Sequence, residues 1–354
     1  MGEHAAHRDR PVLSVVIVTF RRPELVESCL RSVRAGLGAF GAPAEVVVVD
    51  NGSQDETGDL IRADFPEARL LTIEQNVGFT PAVMRGIRTA RGDWIALLND
   101  DVTVDPRAFR LLVEAGGADP SVGAVAAQMR FADRPDVINS AGIEIDRLGV
   151  AADRLLGALI GASEQDPVEV FGVSGGAALY RRAMLDELGG FDESFFAYLE
   201  DVDLAWRARM HGWHALYVPA AVAYHHHSAT LVHGSPQKYF LVGRNRVRLL
   251  AKNATAGQLA RYGAGMVAYD AAYILYVAIR GGTVAPLRGR LRGLREWRAY
   301  RNGRGADRKS VELAPVLGLR HALKRNRAWA SSTDGASQTP RGDRGAGRDR
   351  ATRS

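Results

Sequence analysis

Five apolar residues run directly into two adjacent carboxylates in the stretch Trp94-Ile95-Ala96-Leu97-Leu98-Asn99-Asp100-Asp101. An apolar run of this length predicts a buried strand, although periodicity alone does not distinguish it from a segment of buried helix. Ligands of open α/β sheets bind outside the carboxyl ends of the strands. Two acids side by side at such an end are costly without a cation, and a divalent cation that carries a phosphorylated ligand would suit them. The alternative is a solvated turn before a helix that Asp105-Pro106 caps.

Between residue 12 and these acids, strand patterns alternate with helix patterns, and four strands are predicted in all. The strands are predicted at residues 12–20, 45–49, 69–73 and 94–98. The helices between them are predicted to begin near Pro23, at Ser53 or Asp55, and at Thr80-Pro81. This alternation is typical of an α/β fold with a doubly wound parallel sheet and right-handed crossovers.

Polar or acidic residues follow the predicted strands, namely Thr19, Asp50, Asn76 with Gly78, and Asp100 with Asp101. We expect them to converge at one edge of the sheet, where such sheets bind ligands. Asp50 could hydrogen-bond a base or ribose there, or it could form an Asx-type turn. No G-x-G-x-x-G fingerprint and no Walker-type lysine loop is present, which favours a metal as the group that holds phosphates.

Glycines and acids recur in the second half of the chain. Gly175 and Gly176 lie inside an apolar run at residues 171–180, where glycine marks either close approach of a ligand or tight packing. Glu200, Asp201 and Asp203 open a predicted helix, and acids in a first turn favour the helix dipole. A carboxylate beside an apolar wall also has its charged form disfavoured and can serve as a base.

Three consecutive histidines, His225-His226-His227, follow two short predicted strands. Side chains alternate between faces along an extended chain, so the three imidazoles cannot all meet one ion. Either His225 and His227 share a face, or one histidine acts alone beside carboxylates, as Mn²⁺ allows. An isolated triplet of this kind is more often a polar turn.

The 354 residues have an ordinary globular composition with a basic end. Residues 285–354 hold 18 Lys and Arg against 6 Asp and Glu, whereas residues 1–284 hold 28 against 34. A basic end suggests an anionic membrane surface or nucleic acid, unless it is simply a solvated tail. The only cysteine is Cys29, which excludes an intrachain disulfide and fits a reducing compartment. Residues 1–11 are polar and predict no secretory signal.

Residues 253–330 are predicted to form a basic, amphipathic helical extension. The apolar run at residues 263–279 is short and interrupted by Asp270, so we expect an amphipathic or partly buried helix rather than a membrane span. The arginines between residues 288 and 301 alternate with leucines and Trp297, which suits a helix in the membrane interface. A basic solvated helix is the alternative. From residue 331 onward the composition predicts disorder.

Taken together, these motifs resemble the family-2 glycosyltransferases with a GT-A fold, and most of all bacterial rhamnosyltransferase-type members. The order and spacing of the pieces carry the resemblance over residues 12–252. The matching pieces are Ser14–Phe20, Val49–Ser53, Asn76–Phe79, Leu98–Asp101, Gly175–Ala177, Gly190–Glu193, Glu200–Asp203, His225–Thr230 and Arg244-Asn245.

The resemblance implies a Rossmann-like, mostly parallel sheet flanked by helices, with a C-terminal helical extension. It divides the chain into a polar segment at 1–11, a glycosyltransferase domain at 12–252, the extension at 253–330 and a disordered tail at 331–354. It implies Asp201 as the general base and Asp101 with His225 as ligands of Mn²⁺ or Mg²⁺. The residues implied to bind the nucleotide-sugar are Thr19, Asp50, Asn76, Gly78, Asp100, Gly176 and Glu200. Asn99 departs from the strict D-x-D form of the motif.

The implied reaction transfers a sugar with inversion, from dTDP-rhamnose or a UDP-sugar to a hydroxyl of a cell-surface glycan or polyprenyl-linked acceptor. The bound cation would stabilise the leaving diphosphate, and a carboxylate would take the proton of the hydroxyl. We expect a cytoplasmic enzyme that is peripheral at the inner face of the plasma membrane and has no nucleic-acid partner. Its oligomeric state stays open.

Three other classes stay open at this point. A glycosidase also uses two carboxylates but needs neither the metal triplet nor a nucleotide pocket. A nucleotidyltransferase usually carries a Gly-rich basic loop after the first strand, where this chain has only Arg21-Arg22-Pro23. A catalytically inactive carbohydrate-binding or scaffold protein would retain the fold without the reaction.

Overall fold

The computed structural model describes residues 10–226, 235–302 and 309–316. The strands are β1 (Leu13–Thr19), β2 (Ala44–Asp50), β3 (Ala68–Thr72), β4 (Trp94–Asn99), β5 (Val102–Val104), β6 (Val122–Phe131), β7 (Arg134–Ser140), β8 (Ile143–Ile145), β9 (Ala151–Asp153), β10 (Val168–Val170), β11 (Ala177–Arg181) and β12 (His214–His225). The helices are α1 (Pro23–Phe40), α2 (Thr57–Asp64), α3 (Phe79–Thr89), α4 (Ala108–Gly117), α5 (Arg182–Leu188), α6 (Glu200–Met210), α7 (Pro236–Asn253), α8 (Ala256–Gly281) and α9 (Ala285–Asn302). His227 and the tail at residues 331–354 lie outside the described residues.

One large sheet organises the molecule, with the strand order β10-β12-β6-β11-β4-β1-β2-β3. The four strands at one end, β3, β2, β1 and β4, pair in parallel, which confirms the predicted α/β alternation. β11 pairs antiparallel with both β4 and β6, and β12 pairs in parallel with β6. The sheet is therefore mixed, because the second half of the chain adds antiparallel strands to a parallel half.

Strand register brings the polar strand ends to one edge. Thr19 lies opposite Asp50 across β1 and β2, and Val18 lies opposite Asn99 across β1 and β4. Asp100 therefore follows a strand whose neighbour ends at Thr19. The convergence expected from the sequence is present at this edge, since parallel strands share the direction in which they end.

Helices cover both faces of the sheet, and the pleat divides the buried residues of each strand between them. In β1, Val15 and Ile17 pack toward α1 and α4, whereas Val16 and Val18 pack toward α3. All seven residues of β1 are buried, as the β-branched run predicts for a strand covered on both faces.

Several local predictions were wrong in their boundaries. α3 begins at Phe79, so Thr80 does not cap it, and the Thr80 backbone N–H donates instead to Phe196 O at 3.0 Å. Within the apolar run at residues 171–180, only the part from Ala177 is a strand. Residues 214–225 form one strand with an irregularity between Val218 and Val222, where two short strands were predicted. Each difference arises from a contact with a distant part of the chain, which a local pattern does not contain.

The last three helices pack around a partly buried acid. Asp270 of α8 contacts Arg246 Nε of α7 and Arg290 Nη2 of α9, each at 2.8 Å. α8 has 26 residues and is, by length and composition only, long and apolar enough to cross a membrane. Only 11% of its most apolar window is buried. The helix predicted at residues 263–279 is thus present and longer than expected, and the division of the chain at residue 252 stays a prediction.

Candidate active site

The acid pair at the end of β4 lies inside the protein rather than on a solvated turn. Asp100 is 6% exposed and Asp101 is 7% exposed. Thr19 Oγ1 donates to Asp100 Oδ2 at 2.9 Å. Arg22 Nη1 lies 3.4 Å from Asp101 Oδ2 and 3.8 Å from Asp100 Oδ1. One guanidinium thus faces two carboxylates.

Burial and the neighbouring carboxylate raise the pKa of Asp100 to about 6, against the lowering effects of Arg22 and the Thr19 hydroxyl. The raised pKa reflects repulsion between two carboxylates, which a further positive charge would relieve. The site therefore favours a cation at neutral pH.

His225 completes this cluster from the end of β12. His225 Nε2 lies 3.3 Å from Asp101 Oδ1, and His225 Nδ1 lies 3.1 Å from Asn139 Oδ1. Donation of the Nδ1 proton to Asn139 Oδ1 would leave the Nε2 lone pair available to a metal ion beside Asp101. Adjacent ligands of an octahedral divalent cation lie roughly 3 Å apart. This pair of donors therefore fits a shared cation, with Asn139 orienting the imidazole.

The other histidine described from the triplet points away from this cluster. His226 Nε2 lies 3.3 Å from Thr103 Oγ1, while its backbone N–H donates to Asp101 O at 2.8 Å. The expected alternation of side chains is therefore present. Among the described residues, no group of three or more His, Cys, Asp and Glu side chains could hold a metal alone. The remaining ligands of a cation at Asp101 and His225 would be phosphate oxygens and water.

Asp50 forms part of a tight turn after β2. It is 4% exposed, and its Oδ1 accepts from the Ser53 backbone N–H at 3.0 Å. Ser53 Oγ in turn accepts from the Arg21 backbone N–H at 2.9 Å. The turn interpretation of Asp50 is thus present in the structure, and it holds the carboxyl group beside the segment that follows β1.

Asn51 connects this turn to the loop before α3. Its Nδ2 donates to Gly78 O at 3.1 Å, and its Oδ1 accepts from the Val77 backbone N–H at 3.1 Å. Asn76 Oδ1 accepts from the Gly78 backbone N–H at 2.9 Å. Gly78 has a φ of +97°, and a Cβ there would lie 2.4 Å from the Phe196 ring. Only glycine fits at this position, and sequence reasoning missed the linking role of Asn51.

Asp201 is the partly exposed acid of the second cluster. Its Oδ2 accepts from the Gly175 backbone N–H at 3.2 Å, and its Oδ1 accepts from the Val202 backbone N–H at 2.8 Å. The Asn99 backbone N–H donates to Gly176 O at 3.0 Å. The Gly175-Gly176 segment thus links Asp201 to the strand that ends in the acid pair. Burial raises the pKa of Asp201, and the charge of Asp153 adds to this effect.

The two acids beside Asp201 have different surroundings. Glu200 is 6% exposed, and burial together with the charge of Asp201 raises its pKa. Its Oε2 has no hydrogen-bond partner in the described protein. Asp203 instead contacts Arg207 Nε at 2.8 Å and Lys252 Nζ at 2.7 Å. Burial alone would raise the pKa of Asp203, but these cations hold it well below its usual range. Asp203 thus belongs to a structural ion network with Arg207 and Lys252.

A strained loop positions the start of α6. Phe196, Tyr198 and Leu199 all have positive φ values, of 67°, 71° and 66°. The buried Asn245 Nδ2 of α7 donates to three carbonyl oxygens of this loop, at Phe195, Ala197 and Tyr198, with distances between 2.8 and 2.9 Å. Asn245 had matched a motif, but no sequence pattern indicated that it holds the loop before Asp201.

Comparisons with known proteins agree with this geometry. A family model described as Glycosyl transferase family 2 matches residues 14–189. The chain is 32% identical over 237 residues to the N-acetylglucosaminyl-diphospho-decaprenol L-rhamnosyltransferase of Mycobacterium tuberculosis, with 61% of this chain and 76% of the relative covered. It is 23% identical over 214 residues to the poly-beta-1,6-N-acetyl-D-glucosamine synthase of Staphylococcus aureus, with 60% and 49% covered.

A solved structure shares the architecture. The chain superposes on GalNAc-T7, crystallised with UDP, GalNAc and Mn²⁺, with a TM-score of 0.58 and 16% identity. The superposition covers 83% of this chain and 55% of the other. At this identity the likeness shows the fold alone, and it confirms the GT-A architecture expected from the sequence.

Proposed function

Because the chain belongs to glycosyl transferase family 2, we propose that it transfers a sugar from dTDP-rhamnose or a UDP-sugar to a hydroxyl of a polyprenyl-linked cell-surface glycan. The chain is a glycosyltransferase. The name of the mycobacterial relative supports both the rhamnosyl donor and the polyprenyl acceptor. A nucleotide-diphosphate donor also suits the acidic strand edge, because a cation there can join carboxylates to phosphates.

The donor would bind across the ends of β1, β2 and β4. Asp50 would hold the base or ribose, with Thr19 beside it and the Asn76–Gly78 loop closing the pocket. Asp100 would support the sugar-nucleotide through the network that it shares with Thr19 and Arg22. Gly176, whose carbonyl accepts from Asn99, would let the donor approach the backbone closely.

Asp101 and His225 would hold Mn²⁺ or Mg²⁺. Their facing donor atoms, 3.3 Å apart, support this assignment. A bound cation of this kind supplies Lewis-acid stabilisation of the diphosphate leaving group. Asn139 would orient the imidazole of His225 through Nδ1, and Arg22 adds a fixed positive charge at the same place.

Asp201 would act as the general base in a single displacement with inversion. The acceptor oxygen forms a bond to the anomeric carbon, the bond to the diphosphate oxygen breaks, and the hydroxyl proton passes to an Asp201 carboxyl oxygen. The Gly175 N–H fixes one oxygen of the carboxyl group, and burial raises its pKa, which makes it a stronger base. Glu200, next to it, would contribute to the sugar-binding side of the pocket.

One observation carries the proposal: two separate acidic groups occupy one edge of the sheet, and the Asn99–Gly176 contact links them. One group, with Thr19, Arg22 and His225, suits a phosphate-bound cation. The other is a single partly exposed carboxylate with a raised pKa, as a base requires. A glycosidase has no need of the first group.

In this proposal, a lipid-linked acceptor would bring the enzyme to the cytoplasmic face of the plasma membrane. The exposed leucines of α9, Leu287, Leu291 and Leu294, support a peripheral contact with the bilayer. They lie among arginines, which anionic lipids attract.

The test separates donor binding from chemistry. Calorimetric titration with UDP, dTDP and GDP, with and without Mn²⁺, should show metal-dependent binding of one nucleotide by the wild type. Asp101→Ala should abolish this binding. Asp201→Asn should leave it intact and reduce transfer about 10²- to 10⁴-fold. The exposed Asp186→Asn serves as a matched control.

Three kinds of outcome would contradict the proposal. A folded wild-type protein that binds none of the nucleotides lacks the donor site. Transfer at the wild-type rate by Asp201→Asn would exclude that carboxylate as the base. Retention of the anomeric configuration, or a covalent sugar–enzyme adduct, would exclude the single displacement.

A further inference from the structure

An apolar groove of about 700 Å³ lies among the three helices that follow the sheet. Its apolar lining comes from all three helices: Val247 and Leu250 of α7, Gly263 and Met266 of α8, and Leu294 and Trp297 of α9. A volume of this size falls in the range of sites that bind small molecules. None of the residues assigned to sugar transfer lines this groove.

The charges of the groove favour an anion. Arg295 and Arg298, both exposed, belong to its lining together with Asp270. The carboxylate of Asp270 already contacts Arg246 and Arg290. Two arginines that do not line the groove thus balance the negative charge of Asp270. The two exposed arginines of the lining therefore give the groove a net positive charge. An elongated molecule with an apolar chain and an anionic head matches this combination.

Apolar character continues from the groove onto the outer side of α8. Val267 lines the groove and is 70% exposed, and Leu275 and Ile279 of the same helix are 61% and 72% exposed. A continuous apolar surface of this kind marks contact with another molecule or a membrane. A lipid chain can therefore pass from a bilayer into the groove without crossing a polar surface.

The groove shares a helix with the positioning machinery of the transfer site. α7 contributes Val247 and Leu250 to the groove, and Asn245 of the same helix holds the loop before Asp201. We propose that the groove binds the isoprenoid chain of the acceptor, with Arg295 and Arg298 pairing with its phosphate. This inference rests on the proposed function, because the polyprenyl acceptor is part of that proposal.

Gly263 offers a way to fill the groove without disturbing the fold. A Cβ at Gly263 would meet nothing within 4 Å, so Gly263→Leu places its side chain in the open space of the lining. Each methylene kept out of the groove is worth roughly fourfold in affinity. Displacement of two methylenes should weaken binding of decaprenyl phosphate about fifteenfold. The control is Gly38→Leu, at an exposed glycine of α1 that also has nothing within 4 Å of a Cβ.

The experiment titrates decaprenyl phosphate, delivered in micelles of a non-ionic detergent, and follows the change in tryptophan fluorescence. Wild type and Gly38→Leu should bind it equally, and Gly263→Leu should bind it about fifteenfold more weakly. The double variant Arg295→Gln/Arg298→Gln should lose affinity for decaprenyl phosphate but not for uncharged decaprenol. Nucleotide titration of every variant reports the donor site separately.

Equal binding by Gly263→Leu and wild type would overturn the inference. If phosphatidylglycerol displaced decaprenyl phosphate as effectively as unlabelled decaprenyl phosphate does, the inference would also be overturned, because the groove would then hold acyl chains of the bilayer. A change in molecular mass of Gly263→Leu on sedimentation, without a change in probe binding, would assign the groove to a second copy of the chain. Nucleotide binding without probe binding by the wild type refutes this inference alone, whereas loss of nucleotide binding refutes the proposed function.

Discussion

At the scale of single residues, the protonation of Asp201 depends on two features that act in the same direction. Burial disfavours the charged form of this carboxyl group, and the negative charge of Asp153 disfavours it further. Hydrogen bonds from the Gly175 and Val202 backbone N–H groups oppose both effects. The balance raises the pKa above that of an ordinary aspartate.

A pH profile follows from this balance. A protonated Asp201 cannot accept a proton, so we expect kcat/KM to fall as the pH drops through its raised pKa. Asp153→Asn removes the nearby negative charge and should move this acid limb to lower pH, with kcat at neutral pH little changed. Initial rates between about pH 5 and pH 8 measure the limb, well above the ordinary aspartate pKa of about 3.9.

The matched control for the pH profile is Asp186→Asn, which removes an exposed charge on α5. Its acid limb should coincide with that of the wild type. An unchanged limb in Asp153→Asn would show that another group sets the pH dependence.

At the scale of elements, the loop between Phe195 and Leu199 stores strain in front of α6. Non-glycine residues with positive φ cost on the order of 1 kcal/mol or more each. Asn245 offsets this cost by donating to three carbonyl oxygens of the loop, and Arg244 Nη2 donates to one of them at 2.8 Å. The loop also packs Phe196 against Gly78, so it connects the segment before α3 to the residues that precede Asp201.

Loss of the Asn245 amide should release this loop. Asn245→Ala should lower the free energy of unfolding by about 1–3 kcal/mol, because buried carbonyl oxygens lose their donor. Transfer should fall at least about tenfold, as expected when a catalytic group is misplaced by a fraction of an ångström. Urea denaturation and initial-rate kinetics measure the two effects.

Two further variants test whether donation by the amide is the cause. Asn245→Asp keeps the shape but replaces the donor with an acceptor that faces carbonyl oxygens, so it should be no better than Asn245→Ala. Gln237→Ala, at an exposed position of the same helix, should behave as wild type. Wild-type kinetics in Asn245→Asp would refute the positioning role.

At the scale of the whole molecule, a buried ion network joins the sheet domain to the helices that follow it. Lys252 Nζ of α7 contacts Asp203 of α6 at 2.7 Å and Asp192 at 2.5 Å. Arg207, which pairs with the same Asp203, donates through Nη2 to Gly190 O at 2.7 Å. Two cations and two acids thus connect α6, α7 and the segment after α5.

Removal of one charge should destabilise the whole structure. Lys252→Met leaves Asp192 and Asp203 with a single cation, and breaking a buried pair costs about 3–5 kcal/mol. The folded-state pKa of Asp203 lies below its unfolded value. The ionised carboxylate therefore contributes fully to the free energy of unfolding above about pH 4, and this contribution is lost as the pH falls further. The difference between wild type and variant should therefore shrink in acid.

Denaturant titrations at neutral and acid pH measure this difference. Lys309→Met changes an exposed lysine and should leave stability within about 0.5 kcal/mol of wild type. A Lys252→Met protein as stable as wild type at neutral pH would show that Asp203 finds another partner.

Local sequence pattern predicts the parallel half of the sheet, but it does not predict how the strands of the mixed half pair. Apolar runs with polar ends fix β1 to β4, and their shared direction brings Thr19, Asp50 and Asp100 together. The insertion of β11 between β4 and β6 depends on pairings between distant residues, which no local period records. The same reason hides the linking roles of Asn51 and Asn245, whose partners lie 25–27 and 47–50 residues away.

Cys29 has a practical consequence for work on this enzyme. It is the only cysteine of the chain, and its buried Sγ lies 3.6 Å from Asn99 O, behind the acid pair. Burial raises the pKa of the thiol, and the charges of Asp100 and Asp101 raise it further, so almost no thiolate forms at neutral pH. Maleimide dyes and spin labels will therefore attach only to cysteines introduced on the surface. Contact with a bilayer can then be tested by labelling, with the native sequence as its own unreactive background.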